Sequence, residues 1–125
     1  MKTYHVALLV IILLLSLLVR LYFVQNGEFL PLKDYDGRTY DGLARQLLAG
    51  KGFGNEGAKA FVTPGYPLFL SLIYRLTGTG EERIFVIRLV QAVLGTVTVL
   101  IVYGLGNKLG SPATGLLAAA LAGIY

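Results

Sequence analysis

Three observations on the sequence predict an all-α fold of polytopic transmembrane helices, with a large extracytoplasmic first loop carrying short interfacial helices. Two apolar runs, residues 6–24 and 84–105, are each long enough to cross about 30 Å of hydrocarbon as a helix. Charged residues make up only 14% of the 125, against 55% hydrophobic, well below the roughly 25% charged content of soluble domains. The charges are also segregated, since all seven Asp and Glu lie between Glu28 and Glu82 and the seven Lys and Arg between Gln25 and Arg83 balance them. The net charge of +4 therefore resides in Lys2, Arg20, Arg88 and Lys108. These are scattered near the ends of apolar runs rather than gathered in a patch, so nucleic-acid binding is not expected. With no cysteine, disulfides, thiolate metal sites and Cys nucleophiles are excluded. The single histidine, His5, reads as a terminal residue rather than a ligand.

Residues 6–24 are apolar apart from Ser16 and Arg20, and Arg20-Leu21-Tyr22-Phe23-Val24 lacks a small-x-small cleavage site. An uncleaved first transmembrane helix is expected rather than a signal peptide. Residues 25–83 form the loop. Asn26-Gly27 signals a turn, and Pro31 keeps Leu30 out of a helix. Tyr40, Leu43, Ala44, Leu47 and Leu48 then recur at helical spacing, with Arg38, Asp41 and Arg45 on the other face. This predicts an amphipathic helix over about 38–49, lying in the interface plane, with Asp41 and Arg45 spaced for an i,i+4 pair.

Gly50, Gly52, Gly54 and Gly57 punctuate a surface connector or a lid, not a phosphate loop, because the motif's spacing and its Ser/Thr after Lys are missing. Pro64-Gly65-Tyr66-Pro67 starts a second short helix over about 67–77, which Gly78 and Gly80 end. It is too short to span, and is expected to pack on the bundle or re-enter at the interface. The second span, 84–105, carries Arg88 and Gln91 near its start and Gly95, Thr96 and Thr98 within it, small residues that permit close helix approach. A turn over 106–112 leads to a third run, 113–125, about half a bilayer long at ~1.5 Å per residue. The chain is therefore expected to be the N-terminal part of a longer polytopic protein. Charge counting alone would place the balanced loop in the cytoplasm, but a loop of this length is near the point where the rule loses force, and the extracytoplasmic side is expected partly from the resemblance given below.

Two groups of residues are candidates for chemistry. Asp34 and Asp36 precede the first loop helix. Either they serve the turn, with Asp36 or Gly37 as N-cap, or one of them is a general base at the membrane surface. Arg20 lies four residues before the end of the first run and Arg88 four residues into the second, so both reach a similar depth. They either snorkel to headgroups or hold the phosphate of a lipid-linked substrate in their guanidinium forks.

Five segments in order resemble the start of membrane glycosyltransferases of the GT-C class, within the dolichyl-phosphate-mannose-protein mannosyltransferase-like family that also contains the aminoarabinose transferase of lipid A. They are Asp36-Gly37-Arg38-Thr39-Tyr40-Asp41-Gly42-Leu43-Ala44, Leu47-Leu48-Ala49-Gly50-Lys51-Gly52-Phe53, Pro64-Gly65-Tyr66-Pro67-Leu68-Phe69-Leu70, Arg88-Leu89-Val90-Gln91-Ala92-Val93-Leu94-Gly95 and the small-residue third run. The resemblance implies transfer of a sugar from a polyprenyl-phosphate donor to a lipid, glycan or protein acceptor, usually with inversion. It implies an integral protein of a bacterial or archaeal inner membrane, with Asp36 as the catalytic acid of the loop and Asp34 as the close alternative. Arg88, Arg20, Tyr40 and Tyr66 are the implied substrate-binding residues. A divalent metal is a possible cofactor of such enzymes, but the Glu that some relatives carry before the second loop helix is replaced here by Val62-Thr63, so no metal ligand is assigned. The rival reading is a non-enzymatic membrane protein, such as a transporter subunit or assembly partner, in which the arginines only snorkel.

Overall fold

The computed structural model describes residues 3–26, 35–54 and 62–124. Asp34, Pro31 and Glu56, and with them the turn expected after Asn26, lie outside the described residues. The described chain is all-helical, as expected: α1 (Thr3–Asn26), α2 (Tyr35–Leu48), α3 (Gly65–Thr77), α4 (Glu82–Leu109) and α5 (Pro112–Ile124). It divides into two compact units, Met1–Gly27 with Arg88–Tyr125, and Glu28–Ile87.

The first unit contains the two helices long and apolar enough to cross a membrane, α1 and α4, together with the shorter α5. Leu9, Val99, Tyr103 and Ala119 form its buried core, flanked by Ile12, Leu13, Leu116 and Ala122. Most large apolar side chains of α1 and α4 point outward, among them Leu8, Leu15, Leu18, Val93, Leu100 and Ile101. Helices apolar on every face are at home in lipid and would be an aggregation hazard in water. Glycine permits the closest contact, where α5 meets α4: a Cβ on Gly115 would sit 2.7 Å from the Tyr103 carbonyl oxygen and 3.0 Å from the Asn107 nitrogen. Ser111 starts α5 by accepting the Thr114 N–H at its hydroxyl (3.2 Å), with Pro112 following where its missing N–H costs nothing.

The second unit is built on α2 packed against α3, with the first turn of α4. Ala44, Leu70 and Tyr74 are buried together, and Tyr40, Leu48, Phe69 and Ile87 pack around them. The apolar stripe of α2 thus packs against α3. Both helices begin earlier than the periodicity suggests, α2 at Tyr35 and α3 at Gly65. After α2, Gly50 adopts φ +71° while its N–H and that of Lys51 bond back to the carbonyls of Leu47 and Gln46, a Schellman stop.

Candidate functional site

Asp36 lies in the first turn of α2. It is not the N-cap, because the helix is already under way at Tyr35; its carboxylate instead sits near the unpaired N–H groups that favour negative charge at a helix start. The side chain is exposed and makes no hydrogen bond or ion pair among the described residues. One turn further along the same face is Tyr40, whose ring meets that of Tyr66 edge-on at 5.1 Å. Tyr66 in turn stacks on Phe69 at 6.0 Å. The structure therefore places Tyr40 and Tyr66 together in an aromatic strip, one helical turn from Asp36. An exposed carboxylate beside aromatic faces can accept a proton from a hydroxyl while the rings hold an apolar or sugar face.

The other described acid of α2 has a different surrounding. Asp41 Oδ2 accepts from Arg45 Nε at 2.8 Å, the pair that the i,i+4 spacing predicts. Its Oδ1 accepts from the Tyr74 hydroxyl at 2.6 Å and from Arg83 Nε at 3.3 Å. Arg83 also donates through Nη1 to the carbonyls of Thr79 (3.0 Å) and Gly80 (2.8 Å), binding the α3–α4 turn into the cluster. Burial pushes the Asp41 carboxyl up, but the hydrogen bonds from Tyr74 and Arg45 and the charges of Arg83 and Arg45 outweigh it, and the group is held below the usual carboxylate range. Burial, reinforced by the Asp41 carboxylate, raises the Tyr74 phenol to about 12 against the opposing influence of Arg83. A carboxylate held ionised by three donors is a poor proton acceptor at neutral pH. Asp41 is a fastening, and Asp36 is the acid of α2 open to an incoming group. Sequence reasoning missed Tyr74 and Arg83 because they stand 33 and 42 residues from Asp41, beyond any helical spacing rule.

In the membrane-spanning unit, Arg20, Phe23 and Val24 of α1 and Arg88, Gln91 and Ala92 of α4 line one open groove of about 380 Å³. The matched depth inferred from sequence thus brings the two arginines to a common surface. Arg20 is half-buried. Its Nη1 donates to the Ser16 hydroxyl and carbonyl oxygens and to the Gly123 carbonyl (3.2 Å). Gly95 makes room for it, since a Cβ there would lie 2.7 Å from Arg20 Nε. Ser16, itself buried, was read from the sequence only as a polar interruption. The groove offers two fixed cations beside apolar walls, a combination suited to the phosphate and first isoprene or acyl carbons of a lipid. Among the described residues no three His, Asp or Glu side chains gather to hold a metal ion.

Two long apolar helices with an arginine-lined groove, joined to a helical unit with an exposed carboxylate, define an integral membrane protein of the polytopic all-α class. The chain belongs to the dolichyl-phosphate-mannose-protein mannosyltransferase family, whose model matches residues 61–125. Tyr66 and Arg88 fall inside the matched residues, whereas Asp34, Asp36, Tyr40 and Arg20 precede them. No curated protein and no solved structure matches the chain.

Proposed function

We propose that the protein transfers a sugar from a polyprenyl-phosphate donor to a lipid, glycan or protein acceptor on the extracytoplasmic face of the membrane. The observation that carries this reading is the groove in which Arg20 and Arg88 stand together, within a chain of this transferase family. In the reaction, the acceptor's hydroxyl oxygen attacks the anomeric carbon and its proton passes to the Asp36 carboxylate. The bond from that carbon to the phosphate oxygen breaks, its electron pair stays on the phosphate, and the product is polyprenyl phosphate. Arg20 and Arg88 hold the phosphate as its negative charge grows, which lowers the barrier because the guanidinium groups are already oriented by the protein. Tyr40 and Tyr66 offer ring faces to the sugar or the acceptor. Asp34 remains the alternative base.

The test is sugar transfer by purified full-length protein from a mixed pool of polyprenyl-phosphate sugars, comparing wild type with Asp36→Asn and Asp34→Asn, with and without added divalent metal. Loss in Asp36→Asn alone, with donor binding retained, supports the assignment. Normal turnover in Asp36→Asn would remove Asp36 from the mechanism, and loss in Asp34→Asn alone would transfer the role to Asp34.

A further inference from the structure

The α2 stripe that would face lipid in an isolated amphipathic helix is buried against α3. The outward apolar surface of this unit is on α3 instead. Leu68, Leu72 and Leu76 follow one another at four-residue spacing and are 52%, 60% and 80% exposed. Between Leu68 and Leu72 and the α2 residues Leu47 and Leu48 runs an apolar groove of about 480 Å³, also lined by Phe69, Ser71 and Arg75. Arg75 is the single charge of α3, lies on the same face as the leucines, and makes no hydrogen bond or ion pair among the described residues. Among the described residues no carboxylate lines the groove.

We infer that this ridge is seated in the bilayer, with Leu68, Leu72 and Leu76 at the boundary between headgroups and acyl chains and Arg75 paired with the phosphate of an anionic phospholipid. Two features select lipid over a protein partner. The first is charge: a lone cation amid leucines matches an anionic headgroup above hydrocarbon, the pattern of a helix lying in a membrane interface, whose basic side chains reach back toward the phosphates. The second is reach. Residues 78–81 separate α3 from α4, and at most ~3.6 Å for each of the steps from Thr77 to Glu82 keeps the end of α3 within about 18 Å of the start of a helix long and apolar enough to span. Within the same unit, Arg83 of the first α4 turn is tied to Asp41 and to the Thr79 and Gly80 carbonyls, so this connection is fastened. The inference rests on the membrane fold and stands independently of the transferase reading.

The absence of cysteine from these residues makes site-directed spin labelling direct. Leu68→Cys, Leu72→Cys and Leu76→Cys are labelled one at a time in the full-length protein in nanodiscs, with Lys51→Cys as an exposed reference. Collision with oxygen, which partitions into lipid, is compared with collision with a water-soluble nickel chelate. The expected result is a ratio favouring oxygen several-fold at all three ridge positions relative to position 51. Adding phosphatidylglycerol to phosphatidylcholine discs should draw the labels deeper, and Arg75→Gln should remove that dependence. Dominant collision with the nickel chelate would place the ridge in water and overturn the inference. Low collision with both reagents would mean that protein covers the ridge, whether from elsewhere in the chain or from a second copy, and would overturn it equally. Because the ridge side chains point away from the α2–α3 core, the labels leave the fold intact, and exchange protection of α2 in each variant verifies this.

Discussion

Replacing Asp41 with alanine should loosen the α2–α3 unit while leaving the membrane-spanning unit unaltered. Three donors lose their common acceptor: the Tyr74 hydroxyl, on a residue only 3% exposed; Arg83, whose side chain is 10% exposed; and Arg45, at 42%. Breaking a fully buried ion pair costs about 3–5 kcal/mol. That is an upper bound here, because Asp41 is 16% exposed and Arg83 keeps the carbonyls of Thr79 and Gly80. The orphaned Tyr74 hydroxyl contributes about 1–2 kcal/mol and the weakened Arg83 contact about 1 kcal/mol, whereas the exposed Arg45 contributes well under 1 kcal/mol. The expected total is about 2–3 kcal/mol, equivalent to amide exchange about 30- to 150-fold faster across α2 and α3 where opening is local. Hydrogen-exchange mass spectrometry on the full-length protein reads this directly, with α1 as the internal control. Tyr74→Phe should give a smaller acceleration, Arg45→Ala the least, and the Asp41→Ala/Tyr74→Phe double variant should be non-additive by at least about 0.5 kcal/mol. An acceleration below about fivefold in Asp41→Ala, or an Arg45→Ala effect equal to that of Tyr74→Phe, would refute the argument that the buried side of this cluster fastens the unit.

The same cluster sets a pH dependence in both directions. Because the folded-state value for Asp41 lies below the ordinary carboxylate value, its contribution is present above about pH 4 and is lost as pH falls through the lowered value, so α2 protection should hold from neutral pH to about 5 and drop below 4. Tyr74 is raised to about 12, so its contribution is complete below pH 10 and lost between 10 and 12, and phenolate absorbance should show a late-titrating component that Tyr74→Phe removes and Asp41→Asn shifts downward. Gly115→Ala should force α5 away from the α4 backbone at a cost of about 1–3 kcal/mol, seen as a lower thermal midpoint in detergent; an unchanged midpoint would mean that the contact is slack. Gly95→Ala should displace the Arg20 guanidinium and weaken polyprenyl-phosphate binding about tenfold with the helices intact, and undiminished binding would show that Arg20 does not hold the phosphate.

Much of this architecture was legible because lipid imposes a coarse rule, twenty or so apolar residues per crossing, which α1 and α4 satisfy in plain sight. Local spacing also disclosed the Asp41–Arg45 pair and the shared depth of Arg20 and Arg88. What periodicity could not disclose is which partner a stripe chooses. Tyr40, Leu43, Ala44, Leu47 and Leu48 form an apolar stripe whether they meet lipid or protein, and only the presence of α3, with Leu70 and Tyr74 opposite Ala44, decides for protein.

The same limit explains the two acids of α2. By composition Asp36 and Asp41 are equivalent, each one residue before a glycine and each close to an arginine in sequence. They differ through residues far along the chain: Tyr74 and Arg83 fold back onto Asp41, which lies 140° around the helix from Asp36 at about 100° per residue. One carboxylate is thereby consumed in holding two helices and a turn together, and the other is left exposed at the helix start beside Tyr40. A base must be able to change its protonation state during the reaction, and a fastening must not. On the proposed mechanism those two demands fall on two aspartates five positions apart, so Asp36→Asn is expected to abolish transfer with the fold intact, while Asp41→Ala is expected to loosen the fold itself.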